Sequence, residues 1–148
     1  MDIFNEKNKD QVNSFIPLVQ EMGKDIIRLY TKNMNITFDK TSELERQILS
    51  VYLFGMSNGL NLEQIKLNPL QIETGMIAVF VSVFQYTIPQ AQEFVQGIIS
   101  DLQSKDENNT IYAIVHRGLD GYYAYKDGKI DSVIEDISKI ITYLQSKN

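Results

Sequence analysis

TIYAIVHRGLDGYYAYKDG, residues Thr110 to Gly128, is the stretch on which the fold class turns, because it can be written either as one helix or as two strands. On a helix, Ile111, Val115, Leu119 and Tyr122 fall on one face, while His116, Asp120 and Tyr123 share another at i, i+4 and i+7 spacing. Arg117 then reaches Asp120 at i, i+3. As strands, Ile111 to His116 and Tyr122 to Tyr125 form a short hairpin within residues 111–125, joined by Arg-Gly-Leu-Asp-Gly, a loop with hairpin chemistry. The helix is the better reading, since the apolar spacing fits and the flanking chain also reads as helical. It carries a cost: Gly118 and Gly121 each weaken a helix by about 1 kcal/mol relative to Ala. That cost calls for a reason such as close backbone approach to a neighbouring helix.

Working outward from this segment, helical signals continue in both directions. Downstream, Asp131 stands as a cap ahead of Ile134, Ile137, Ile140 or Ile141, and Leu144, an amphipathic C-terminal helix, with Gly128 closing the element before it. Upstream, Thr87 and Pro89 open a helix carrying Phe94, Ile98 and Leu102 on one face, which the polar run Ser104 to Asn109 ends. Asn68-Pro69 opens another, in which Met76 to Phe84 is apolar on nearly all sides, as a central helix should be. A buried strand is its rival, because Ile77, Val79, Val81 and Val83 alternate with other residues, yet the start signal and length favour a helix. Ser42 and Glu45 have capping-box spacing before Leu44, Ile48, Val51 or Tyr52, and Gly55; this helix is predicted to end near Asn58-Gly59, and Asn61 to cap a short turn over Leu62 to Lys66. The first helix is read from Ser14, through Phe15, Val19, Met22, Ile26 and Leu29 or Tyr30, with Pro17 in its first turn. No repeat or Pro/Gly/Ser linker divides these elements, so the expectation is a mostly all-α, single compact multi-helix domain over residues 1–148, of about six to seven helices.

Composition removes several function classes. A chain of 148 residues, 43% hydrophobic, can bury roughly 70% of its unfolded surface without staples. There is no cysteine, hence no disulfide, thiolate nucleophile or Cys-type zinc site, and the lone His116 excludes a multi-His metal site within one chain. Carboxylate neighbours such as Glu43 and Glu45, or Asp106 and Glu107, do not converge by themselves, and Glu135 with Asp136 reads as a solvated helix face. Neither G-x-x-x-x-G-K-[ST] nor a G-x-G-x-x-G after a strand is present. His116 and Asp120 supply two parts of a catalytic triad on paper, but no G-x-S-x-G elbow accompanies them. The reading is therefore a binding protein rather than an enzyme, with no catalytic residues, no metal and no cofactor.

Net charge is −5, and from Leu67 to Ser104 the charged residues are Glu73, Glu93 and Asp101, without a basic one. Phosphate contacts need a positive face, so a nucleic-acid partner is not expected, whereas a basic protein would be attracted. The apolar run Met76 to Phe84 is too short to span a bilayer, which takes about 20 residues. The charged start, Met1 to Asp10, is unlike a secretory signal, so a cytoplasmic location without membrane association is expected.

The opening segment holds the only histidine and four of the eight tyrosines. Its plain reading is structural: Arg117 pairs with Asp120, His116 satisfies a buried carbonyl, and the tyrosines cover the core edge with hydroxyls outward. Its functional reading is a recognition patch of His116, Arg117, Asp120, Tyr122 and Tyr123, since Tyr and Arg are enriched where interfaces gain most of their energy.

The string Ala113-Ile-Val-His-Arg-Gly-Leu-Asp-Gly-Tyr122, preceded by Gln85-Tyr-Thr-Ile-Pro-Gln90 and by a helix containing Glu93 and Phe94, resembles a family of bacterial immunity proteins, immunity family forty-eight. The resemblance covers the chain from about the second helix onward and is least before about Asp39. It implies a mostly helical antidote, encoded beside a polymorphic toxin, that binds and neutralises the cognate toxin by stoichiometric contact. From the residues alone, an alternative stands beside it: a helical regulatory or scaffolding module that binds a host protein or forms a homo-oligomer through the tyrosine-rich segment.

Overall fold

The computed structural model describes residues 6–147. Six α-helices follow one another: α1 (Glu6–Met34), α2 (Glu43–Leu60), α3 (Pro69–Phe84), α4 (Ile88–Gln103), α5 (Thr110–Lys126) and α6 (Ile130–Ser146). A 3-10 turn, Phe38–Lys40, precedes α2, and a π-helical turn, Asn61–Ile65, follows it directly. Among the described residues there is no strand, so the fold is all-α and residues 111–125 form no hairpin.

Local chemistry sets the helix starts. Ser42, Asn68 and Thr87 each accept a hydrogen bond from the backbone N–H three residues on, and Glu45, Gln71 and Gln90 each reach back to the cap's own N–H. Two orphan donors are satisfied reciprocally at each of these ends. Asn109 caps α5 by accepting from the Tyr112 N–H at 3.0 Å.

Four expectations need correction. Pro17 is not in a first turn, because α1 already runs from Glu6. Its missing N–H vacates the carbonyl of Asn13, an exposed position where water can serve the oxygen. Asn61 caps no turn at its start: its side chain reaches forward instead, Oδ1 accepting from the Leu67 N–H and Nδ2 donating to the Leu67 carbonyl, so it closes the loop after the π-turn. Asp131 lies inside the first turn of α6, where its charge faces the positive helix end, while the cap position is Lys129. Finally, the central helix is α2 rather than α3. Every residue from Ile48 to Ser57 is buried, whereas Ile77, Ala78 and Val81 of α3 are half-buried and Ser82 is exposed. Two buried serines of α2 remain compatible with the core by donating to carbonyls of their own helix, Ser50 to Arg46 at 2.7 Å and Ser57 to Phe54 at 2.6 Å.

The closest packing in the molecule is α2 against α5, and glycine makes it so. A Cβ on Gly118 would collide with the Tyr52 carbonyl, and one on Gly55 with the Val115 carbonyl. On either side of this backbone contact a tyrosine ring fills a glycine notch: a Cβ on Gly59 would stand 2.7 Å from the Tyr122 ring, and one on Gly121 would meet the Tyr52 ring. The helical cost of Gly118 and Gly121 is thus offset by helix-to-helix approach, the reason their spacing called for.

Around this crossing, tyrosine hydroxyls donate across the helix seams to carboxylates. Tyr30 of α1 donates to Glu45 of α2, Tyr52 of α2 to Asp136 of α6 at 3.2 Å, and Tyr125 of α5 to Asp25 of α1 at 2.7 Å. Tyr122 of α5 donates to Glu63 of the π-turn at 3.1 Å. A separate aromatic cluster of Phe38, Phe80, Phe84, Tyr86 and Phe94 joins the 3-10 turn to α3 and α4, with ring centroids 5.7–6.4 Å apart. No helix among the described residues is long and apolar enough to cross a membrane. The charged start, Met1 to Asp10, lies partly outside the described residues.

Candidate partner-binding surface

Because α5 is anchored on α2 by its glycine face, its opposite face is held rigidly outward. Ile114, Val115, Gly118, Gly121 and Tyr122 are buried, while Ala113, His116, Arg117, Asp120 and Tyr123 are exposed. Four of the five residues singled out by the sequence therefore share the outer side of one helix. The fifth does not: the Tyr122 side is only 3% exposed, against 43% for Tyr123.

Tyr122 works from beneath. Its ring lies over Gly59, and its hydroxyl donates to Glu63 and accepts from Gln64 Nε2 at 2.9 Å. Lys126 closes the same cluster with an ion pair to Glu63 at 2.8 Å. That lysine, with Tyr122 and Gln64, holds the Glu63 carboxyl below its ordinary value. Burial, reinforced by Glu63, pushes the Tyr122 hydroxyl up. Tyr123 packs edge-on to the Tyr122 ring, with centroids 5.2 Å apart, so the exposed aromatic is braced by the buried one.

Arg117 does not pair with Asp120. It crosses to α6, where Nε lies 3.3 Å from Asp136 Oδ2 and the terminal nitrogen meets Oδ1. Asp136 wins because it stands fixed on the neighbouring helix and also accepts from Tyr52, whereas the exposed Asp120 would have to order itself for an i, i+3 contact. The hydrogen bond to Asp136 pushes the Arg117 guanidinium further up. Asp136 is accordingly not a solvated bystander, although its neighbour Glu135 is, bonding only Lys139 one turn on. His116 serves no buried carbonyl; it is exposed and its ring lies 4.4 Å from that of Tyr112.

Beside Arg117, a cavity of about 380 Å³ opens between α5 and α6, walled by Ala113, Ile114, Ile140, Leu144 and the largely exposed Tyr143. Among the described residues, no group of three or more His, Asp or Glu side chains gathers as metal ligands would. What the arrangement offers is an outward face combining Tyr123, His116, an arginine paired across to α6, and the Asp120 carboxylate, which has no ion-pair partner among the described residues. Sequence reasoning missed Asp136, Glu63 and Gln64, the residues that fix this surface. Their partners lie on other elements, and no local spacing marks such pairs.

Residues 20–145 match a family model described as Immunity protein 48. The match begins within α1, earlier than the second helix from which the resemblance was read, and includes most of α6. No curated protein and no solved structure matches the chain.

Proposed function

The chain belongs to the Immunity protein 48 family, and from that premise we propose that it is an antidote: it binds a cognate bacterial toxin one to one, inside the producing cell, and neutralises it by covering surface rather than by chemistry. The observation that carries this reading is the family match together with the outer face of α5, where His116, Asp120 and Tyr123 stand exposed on a helix locked to the core. A surface that needs no reordering loses little entropy on docking. Tyr123 supplies a broad, pre-positioned contact, Arg117 presents its outward edge while fixed by Asp136, and Tyr122 contributes by bracing Tyr123 from below.

The test is co-expression with the product of the adjacent gene, read by pull-down and by growth rescue. Rescue through a one-to-one complex is the expected result; neither complex nor rescue overturns the antidote reading. With a complex in hand, the double variant His116→Ala/Tyr123→Ala is expected to weaken binding by about tenfold or more at unchanged thermal stability. Sedimentation of the free protein separates the self-associating alternative, which requires a stable homodimer dissociated by Tyr123→Ala.

A further inference from the structure

A second surface shares no residue with the α5 face. On α4, Gln90, Glu93, Gly97 and Asp101 recur at i, i+3, i+7 and i+11, which puts them along one side of the helix. Gln90, Glu93 and Gly97 are exposed and Asp101 is half-buried. Gly97 stands apart from the glycines of the α2–α5 crossing, because a Cβ added there meets nothing within 4 Å. The helix thus carries glycine's penalty at this position without any internal packing that needs it. An outside surface lying close against α4 would need it.

At the start of this side, a cavity of about 440 Å³ is walled by the rings of Phe38, Phe84 and Tyr86 and rimmed by the carboxylates of Asp39 and Glu43, with Gln90 joining it to α4. Arg46 also lines it, its guanidinium held on the Thr41 carbonyl and hydroxyl, so that two carboxylates face one fixed cation and the cavity keeps a negative balance. Among the described residues neither Asp39 nor Glu43 has an ion-pair partner. Next to the cavity, Ile88, the first residue of α4, is 59% exposed.

Aromatic faces beside unpaired carboxylates favour a cation on an apolar stem, which is the chemistry of lysine and arginine. A neutral apolar side chain would instead strip water from two carboxylates without pairing them, and an acidic one would be repelled. The acidic side continues the preference along α4, since Glu93 and Asp101 are the only charged residues of that helix. We propose that this edge of the bundle, from the Phe38–Lys40 turn along α4, docks a basic segment of the protein partner, one lysine or arginine entering the aromatic cavity and the segment's backbone lying over Gly97. From Gln90 to Asp101 the helix rises about 17 Å, the reach of roughly five extended residues or three helical turns of the partner. The net charge of −5 steers the same kind of partner during approach.

The inference rests on the antidote reading and is separable from it. The probe is the product of the adjacent gene, titrated calorimetrically at low and high salt against the wild type, Asp39→Lys/Glu93→Lys, Ile88→Lys and Gly97→Gln. Charge reversal is expected to weaken binding by about tenfold or more and to flatten its salt dependence. Gly97→Gln is expected to weaken binding while raising the melting temperature, a combination that misfolding cannot produce. If the wild type binds and rescues growth while all three variants bind within about twofold of it, this surface is overturned and the antidote reading stands. If the wild type neither binds nor rescues, both fall. A homodimer of the free protein broken by Gly97→Gln overturns the basic-segment proposal in favour of a second copy of the chain.

Discussion

Two glycines on neighbouring helices have opposite roles, and the difference sets the sign of a substitution. Gly118→Ala drives a methyl into the Tyr52 carbonyl, a backbone atom that cannot swing away, and should destabilise the protein by about 3 kcal/mol or more. Gly97→Ala meets open space and should stabilise it by about 0.5–1 kcal/mol. Urea denaturation measures both, and shifts of the same sign would sink the account of the α2–α5 crossing. Tyr86 offers a third residue-scale test. Its hydroxyl is buried beside Ser50, whose own O–H is committed to the Arg46 carbonyl, and it makes no well-formed hydrogen bond among the described residues; burial pushes its pKa up against an opposing influence of Ser50. Tyr86→Phe removes an unsatisfied group and keeps the ring's contacts with Phe80, Phe84 and Phe94, so it should be neutral or stabilising by about 1 kcal/mol. A loss of that size would mean that the hydroxyl is bonded in solution. At this scale the sequence discloses a cost but not what offsets it: Gly118 and Gly121 stand out as expensive in a helix, while Gly55, which Gly118 meets, and Tyr52, whose ring fills the notch at Gly121, are identifiable only once α2 and α5 are side by side.

The starts of α2, α3 and α4 were legible and the surroundings of the helices were not, for one physical reason. A capping box is closed by residues three apart, so Ser42, Asn68 and Thr87 announce α2, α3 and α4 from composition alone. The centre of the bundle depends on which helices are neighbours, and there hydrophobicity misleads. The more apolar α3 lies partly exposed, whereas α2, with its serines and glycines, is enclosed because those small residues admit α5. Seam contacts share this dependence. Asp136 binds Tyr52 and Arg117 at once, joining α2, α5 and α6, and nothing in the sequence separates it from exposed Glu135 beside it. Asp136→Asn keeps the side chain's size and removes its charge, and should destabilise by about 1–2 kcal/mol. Combined with Tyr52→Phe in a double-mutant cycle, it should show a coupling of about 1 kcal/mol, measured by chemical denaturation. Strict additivity would mean that the Tyr52 hydroxyl and Asp136 act independently and that the seam is held by packing alone.

Across the whole molecule, the tyrosine contacts make stability depend on pH at both ends of the scale. Tyr30, Tyr52, Tyr86, Tyr122 and Tyr125 all have hydroxyls pushed up, first by burial, and in four of them the carboxylate that accepts the O–H adds to the shift. The unfolded chain ionises its tyrosines near pH 10. Below that value neither state is ionised and the contribution is complete; above it only the unfolded state releases protons, so stability falls until the folded values are passed. The acid side runs the other way. Burial alone would raise Glu45, yet the Ser42 N–H, the Tyr30 and Ser42 hydroxyls and nearby Arg46 bring it below its ordinary value, and Glu63 is lowered by Lys126. Their contribution is present above about pH 4.3, the ordinary glutamate value, and is lost as pH falls through the lowered folded values. Between these limits stability should be nearly level with respect to these groups. The alkaline limb can be read directly, because tyrosinate absorbs where tyrosine does not. Titrated upward from neutral pH, these five tyrosines should ionise late and in one step, together with the loss of helical circular dichroism. Their ionisation near pH 10 with the helices intact would show that the hydroxyls are open to water, and that the seams between α1, α2, α5 and α6 do not depend on them.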